Sequence, residues 1–253
     1  MSIHQRVRTG STIVKEDFRW RLETPASPSS RYQLAQLDDY SGLRRSEFCW
    51  TPPATLSLRA RVSSRSISGT WGFGFWNDPF SLALGLGVMT QILPVLPNAA
   101  WFFFASPENY LSFRNDHPSS GFLAAAFHSP STSPLRLVPQ LALVPLLFFH
   151  PWARRIRAKL SQVIDEQSIQ LGVDVTQWNH YRLNWRTNKV EFSVNSEPVF
   201  VSPTSPSGPL GLVIWLDNQY ASFKPSGEIK MGVLKSSTPA WMEIEGLEIG
   251  TSG

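Results

Sequence analysis

The stretch Trp178-Asn179-His180-Tyr181-Arg182-Leu183-Asn184-Trp185, followed by the turn Thr187-Asn188 and by Val190-Glu191-Phe192-Ser193-Val194, decides the fold class. Successive side chains of an extended chain point to opposite sides. Tyr181, Leu183 and Trp185 therefore share one face, and His180, Arg182, Asn184 and Arg186 share the other. Val190, Phe192 and Val194 carry the apolar face across the turn. Two period-two runs joined by a short polar turn read as a hairpin with one buried face.

The same pattern extends outward in both directions. Downstream, Asn195-Ser196-Glu197 turns into PVFVS (198–202), and the apolar run PLGLVIWLDN (209–218) ends in polar groups. EIKMGVL (228–234) and WMEIEGLEIG (241–250) complete the series. Upstream, Leu56, Leu58, Ala60 and Val62 alternate with Ser57, Arg59 and Arg61. GTWGFGFW (69–76) stops at the turn Asn77-Asp78-Pro79. Trp101–Ala105 and Tyr110–Arg114 read as further strands, and Phe18, Trp20 and Leu22 as a half-buried one near the start. Short strands separated by turns predict one all-β domain over residues 1–253, an antiparallel two-sheet jelly-roll sandwich.

Residues 117–167 interrupt that pattern. Ser and Pro crowd 118–134, and Pro139, Pro145 and Pro151 punctuate the apolar run that follows. Prolines six residues apart forbid both a regular helix and a central strand. After them, Ile156, Leu160, Val163 and Ile164 follow the stripe of an amphipathic helix. The expectation is an insertion made of an apolar flap and one helix, packed on the sandwich, covering a ligand or touching a membrane surface through residues 135–160.

Composition narrows the function classes. Hydrophobic residues make up 42% and charged residues 17% of the 253, enough for a full core and too apolar for global disorder. The ten Trp and sixteen Phe suit strands and also aromatic ligand sites. The net charge of +4 has a local source, with Arg154, Arg155, Arg157 and Lys159 close together. No nucleic-acid motif accompanies it. The single cysteine, Cys49, excludes an intrachain disulfide framework. Its place in an apparent strand predicts a buried thiol. No metal-ligand spacing or glycine-rich phosphate loop is present, so no metal and no cofactor is expected. The polar start MSIHQRVRTG lacks the apolar segment of a secretory signal; a cytoplasmic location is the expectation.

The hairpin 178–199 resembles the W-H-x-Y-x-x-x-W … F-x-V-D-G hairpin of concanavalin A-like glucanases and laminin-G-like domains, and GTWGFGFW resembles a glycine- and tryptophan-rich strand of such folds. The resemblance covers roughly 45–115 and 168–250 and implies two curved sheets, the concave one holding the ligand. Family 16 glycoside hydrolases of this fold carry E-x-D-x-x-E or a version one residue shorter. Glu243, Glu245 and Glu248 match the spacing of one form, with Gly246 suited to a bulge. They depart from the family in having Glu at the centre and in following the Trp178–Trp185 hairpin rather than preceding it. A glycosidase reading requires Glu243 and Glu248 to face the ligand as a close pair.

Two segments place aromatics beside polar groups, as jelly-roll ligand sites do. The first offers Trp71, Phe73, Phe75, Trp76 and Asn77 with Asp78 as an acid. The second offers Trp215, Asn218, Gln219 and Tyr220 with Asp217 as an acid. His180 is a third acid–base candidate. Each has a plain alternative: Trp71, Phe73 and Phe75 as core, the Asn and Asp residues as turn formers, and His180 as a satisfied surface group. The leading expectation is a binding protein with an aromatic face for a glycan or an apolar small molecule. The rival is an enzyme on the same scaffold, either a glycosidase or a cyclase or isomerase using Asp78, His180 or Asp217.

Overall fold

A computed structural model describes residues 2–29, 31–79, 95–130 and 150–251. Within these residues sixteen strands form two seven-stranded antiparallel sheets and one two-stranded ribbon. The first sheet contains β1 (His4–Arg8), β4 (Leu34–Asp38), β6 (Thr70–Trp76), β7 (Ala99–Ala105), β8 (Gly121–His128), β9 (Asp165–Gln170) and β13 (Gly211–Asp217). Their spatial order is β1-β4-β13-β6-β7-β8-β9. The second contains β2 (Thr12–Glu16), β3 (Arg19–Thr24), β5 (Ala54–Val62), β10 (Asn179–Arg186), β11 (Lys189–Val194), β12 (Glu197–Ser202) and β16 (Ala240–Gly250). These run in the order β12-β11-β10-β5-β16-β3-β2. The ribbon pairs β14 (Gln219–Phe223) with β15 (Ile229–Val233). Among the described residues one α-helix, α1, spans His150–Val163.

The sheets pack face to face through the alternation read from the sequence. Leu56, Leu58, Ala60 and Val62 of β5 and Tyr181, Leu183 and Trp185 of β10 enter one core with Trp71, Phe73 and Phe75 of β6. The rings of Phe73 and Phe102 both pack on Tyr181, at 5.1 and 5.2 Å between centroids. At this spacing aromatic contacts add to burial.

Strand β8 corrects the reading of 117–167 as an insertion, because its residues Gly121–Phe127 pair with the full length of β7. Its FLAAAF sequence is poor in β-branched residues, so it carries little strand propensity of its own. Its alanines are complements: Ala124 lies opposite Phe102 and Ala125 opposite Trp101. Large against small across a strand pair fills the layer without a clash.

The helix is real, but its inward stripe is Ala153, Arg157 and the half-buried Leu160, continued by Ile164 just past its end. Ile156 is half-buried and Val163 is exposed. Three smaller expectations also change. Phe18 sits in the turn between β2 and β3 and is 88% exposed. Tyr110–Arg114 is a loop joined to the ribbon by a single bridge, Tyr110 to Ser222. Cys49 is exposed, since its neighbours Phe48 and Trp50 take the inward positions. The apolar part of the expected flap, 135–149, lies outside the described residues.

Candidate functional site: an aromatic cleft on the first sheet

The outward face of the first sheet is unusual in what it presents. Gln36 of β4, Trp215 and Asp217 of β13, Thr70 and Trp76 of β6, Trp101 and Phe103 of β7 and Phe127 of β8 line a cleft of about 380 Å³. Trp76, Trp101 and Trp215 form a mutual cluster, with centroids 5.5–6.2 Å apart. Two glycines make this possible. A Cβ at Gly72 would stand 2.7 Å from the Trp215 ring, and one at Gly74 would stand 2.5 Å from Trp101 Cβ and 2.3 Å from the Ala100 carbonyl oxygen. Only glycine lets these residues lie so close to the backbone of β6.

The ribbon β14–β15 and the loop 109–113 form the walls. Tyr220, Phe223, Ile229 and Met231 line the cleft from the ribbon, and Tyr110, Leu111 and Phe113 from the loop. Backbone hydrogen bonds tie wall to wall: Tyr110 N–H donates to Ala221 O (2.9 Å) and Phe223 N–H to Tyr110 O (3.1 Å).

Asp217 is the buried acid of this site. Its Oδ1 accepts from Thr70 Oγ1 (2.8 Å), Thr70 N–H (3.3 Å) and Gln219 N–H (3.3 Å). Trp215 Nε1 donates to the same Thr70 hydroxyl (2.9 Å). The side chains thus form a chain running Trp215 to Thr70 to Asp217. Burial pushes the Asp217 carboxyl up to about 7, against the pull of those donors. With three donors on Oδ1, a proton on this carboxyl belongs on Oδ2, which makes it a hydrogen-bond donor in an apolar cleft.

Asp78 also lines the cleft, from the other end. It follows β6 in the left-handed region (φ 47°), which Asp tolerates better than most residues. Arg45 pins this turn through the carbonyl oxygens of Asn77 (2.8 Å) and Asp78 (2.7 Å). Thr70 pairs with Asp217, whereas Trp76 pairs with Gly211 at the opposite end of the two strands. Six residues of strand separate those ends, roughly 20 Å. Glycosidase carboxyl pairs stand about 5–9.5 Å apart. Asp78 and Asp217 therefore do not form such a pair.

The remaining sequence candidates divide cleanly. Trp76, Trp215, Gln219 and Tyr220 line the cleft. Trp71, Phe73 and Phe75 do not; they point to the inter-sheet core, at most 1% exposed, because their odd-numbered positions face away from Gly72, Gly74 and Trp76. Asn77 is used in fixing the chain, donating to Leu96 O and accepting from Asn98 N–H. Asn218 ties Gln33, Arg31 and Leu234 together in the same way. His180 lies on the outward face of the second sheet, its Nε2 2.8 Å from Ser57 Oγ, so it shares no site with Asp217. Among the described residues no cluster of His, Cys, Asp or Glu could hold a metal ion.

The Glu243-Glu245-Glu248 reading is corrected by position. Gly246 does host a bulge: its φ is +61°, and the register shifts between Glu245 and Glu248. Met242 and Ile244 face the core, so the glutamates face outward on the second sheet. Glu243 is held by Arg21 (3.0 Å) and Arg61 (2.8 Å), and Glu245 by Arg19 and Arg59. All three look away from the cleft, and Glu243 and Glu245 are committed to arginines.

Sequence reasoning missed Trp101, Phe103, Phe127 and the loop aromatics. The alternation within AAWFFFA puts Trp101 opposite in face to Phe102, but with both faces apolar nothing in the sequence marks the outward one. The basic part of the membrane-surface expectation falls on α1, which packs on the sheet through Leu160 and Ile164; the apolar part, 135–149, is not among the described residues. No described helix is long and apolar enough to cross a membrane.

No protein-family model matches the chain, and no curated protein sequence does. Solved structures do match in fold. The LamA variant from Z. galactanivorans bound to laminaritriose and laminaritetraose gives a TM-score of 0.54 at 11% identity, covering 98% of this chain and 91% of that one. A family 16 endo-glucanase from Bacteroides ovatus gives 0.52 at 10% identity, covering 98% and 94%. A Bacillus licheniformis β-glucanase gives 0.50 at 9%, covering 99% and 92%. Identities this low speak for the fold alone: the concanavalin A-like jelly roll that glycan-active enzymes of family 16 also use.

Proposed function

We propose that this jelly roll binds a largely apolar small molecule in the cleft of the first sheet, without glycosidic chemistry. The observation that carries the proposal is the lining of the cleft. Across β6, β7 and β8 the floor offers Trp76, Trp101, Phe103 and Phe127 and no carboxylate. A glycan needs many polar partners along its hydroxyls, while an apolar ligand needs shape, aromatic surface and a few orienting groups. Asp217 supplies one such group, as a donor to a carbonyl or hydroxyl oxygen; Thr70 and Gln219 lie beside it, and Gln36, opposite Trp215, adds a further polar side chain to the lining.

A thermal-shift screen with two panels, oligosaccharides and apolar compounds bearing one acceptor group, tests this. A native-state ligand at a hundredfold excess over Kd adds about 2.7 kcal/mol of stability. The expected result is a shift with the apolar panel that Trp215→Ala removes. A shift confined to oligosaccharides sinks the proposal and restores the glycan reading that the neighbours' ligands suggest.

A second reading, proton transfer by Asp217 to a bound apolar substrate, is favoured by its position and by a carboxyl near about 7. It calls for turnover that Asp217→Asn abolishes while ligand binding survives.

A further inference from the structure

Arg157 breaks the pattern of its own helix. It occupies the buried stripe of α1 between Ala153 and Leu160 and is only 3% exposed. Its guanidinium donates to the carbonyl oxygens of Phe113 and Arg114 (3.4 Å) and to Asn115 Oδ1 (3.1 Å). The rings of Tyr110 and Phe223 flank it at 5.4 and 5.9 Å. Its Nε–H is buried and has no partner. Among the described residues no carboxylate lies within ion-pair distance of it. Carbonyl dipoles and aromatic faces ease the burial of a cation, but they do not neutralise it.

Arg157 lines a polar recess of about 400 Å³ with Arg114, Asn115, Asp116, Arg154 and Ser161. Within it, Arg114 and Asp116 form a bidentate pair (3.1 and 3.0 Å) that cancels in charge. Arg154, one turn before Arg157 on the same side of the helix, is exposed and adds a second cation. The recess is left with a surplus of two positive charges, from Arg154 and the buried Arg157, and with Asn115 and Ser161 as further polar groups.

We infer that this recess between α1 and the loop 113–116 is a binding site for a tetrahedral oxyanion, a phosphate or sulfate group, held by Arg154 and Arg157. Arginine suits such a group because its fork of N–H donors matches the oxygen geometry. The site is separate from the aromatic cleft: Phe113 contributes to both, but the floor of one is indole and that of the other is guanidinium. The inference does not depend on what the cleft binds.

Titration calorimetry at constant ionic strength tests it on the full chain, with inorganic phosphate, inorganic sulfate and phenyl phosphate as injectants and chloride as the blank. Concentrations stay in the low millimolar range, below those at which sulfate stabilises proteins generally. The expected result is saturable binding of at least one of the three, weakened about tenfold or more by Arg154→Gln and unchanged by Arg155→Gln. Arg155 lies on the same helix, exposed, with its guanidinium over the Trp152 ring, so this pair separates the recess from the general charge of the helix. Tighter binding of phenyl phosphate than of free phosphate identifies an ester as the ligand; equal binding identifies the free anion. No saturable heat with any of the three, or equal losses in the two variants, overturns the inference. Arg157→Lys, folded by circular dichroism, serves as the second probe: it keeps the charge but loses the guanidinium that holds the loop 113–116 against α1, and it is expected to bind more weakly than the parent.

Discussion

Asp217 and Glu243 are both carboxylates on the outward face of a seven-stranded sheet, and their surroundings move them in opposite directions. On the second sheet Glu243 is drawn up by burial but is overruled by Arg61 and Arg21, so its carboxyl lies below the ordinary range. Around it the face is a ladder of paired charges, with Arg21 and Arg61 also stacked on Trp241 at 4.6 and 5.5 Å. On the first sheet Asp217 has hydrogen-bond donors but no cation in contact, and burial decides. One face uses Glu243 and Glu245 to tie their strand to the arginines of β3 and β5. The other keeps an acid with no cation in contact beside a cluster of three indoles, an arrangement that costs stability and that ligand sites commonly carry.

That contrast gives the largest expected effect. The Asp217 carboxyl is higher in the folded chain than its ordinary value near about 3.9, so the folded state binds the proton more tightly than the unfolded one. Stability therefore falls as pH rises from about 4 to about 7 and is level above that, a loss on the order of 4 kcal/mol for a shift to about 7. Asp217→Asn keeps an oxygen for all three donors and removes the charge. At pH 8 it is expected to be more stable than the parent by about 2–4 kcal/mol, and the gap is expected to close toward pH 4. Urea unfolding at the two pH values checks both; a variant no more stable at pH 8 would show that Asp217 is solvated or paired.

The floor of the cleft gives the next effect. Gly74→Ala drives a Cβ to within 2.3 Å of the Ala100 carbonyl oxygen and 2.5 Å of Trp101 Cβ. Overpacking of this kind costs about 1–3 kcal/mol. Gly250, on the last strand of the second sheet, has nothing within 4 Å of the same position, and Gly250→Ala is expected to stay within about 0.5 kcal/mol of the parent. Equal melting temperatures for the two variants would mean that Trp101 does not rest against β6 as described.

The fold was legible because its deciding strands are half-buried. Alternation in β5, β10 and β11 assigns each residue a side, and the core follows from it. The site was legible only where an aromatic strand runs into polar groups, as at Trp215 to Asp217 and at Trp76 to Asp78. Strands β7 and β8 are apolar on both faces, so periodicity could not separate Phe102, in the core, from Trp101, in the cleft. The alanines of β8 carry no strand signal until the rings of β7 are seen opposite them. Glu243, Glu245 and Glu248 show the converse: their spacing matched a catalytic motif, but spacing does not reveal which sheet a strand joins or what faces it.

A smaller effect is expected where the second sheet is strongest. Glu243 has a side chain 8% exposed and accepts from two arginines. Glu243→Gln leaves Arg21 and Arg61 without their shared anion, at about 1–2 kcal/mol near pH 7. Because the folded carboxyl lies below its ordinary value, the contribution of Glu243 is fully present above about pH 4.3 and is lost as pH falls from there through the lower value of the folded state. The pH dependence thus runs opposite to that of Asp217. A Gln variant that lost stability equally at pH 3 and pH 7 would mean that shape, not charge, makes this contact.

The smallest effect separates the edge of the ladder from its middle. Glu245 pairs with Arg19 (3.4 Å) and Arg59, but those arginine side chains are 45% and 50% exposed. Exposed pairs are worth about 0.2–1 kcal/mol, since water and salt screen them and two long side chains must be ordered. Glu245→Gln is expected to fall in that range in dilute buffer and to lose most of its effect in 1 M salt, where the screening length is about 3 Å. Glu243→Gln, two residues away on the same face and shielded by Trp241 and its arginines, is expected to keep more of its effect in the same salt. If both variants respond to salt alike, the ladder acts as one solvated surface, and the contrast with the cleft reduces to Asp217 alone.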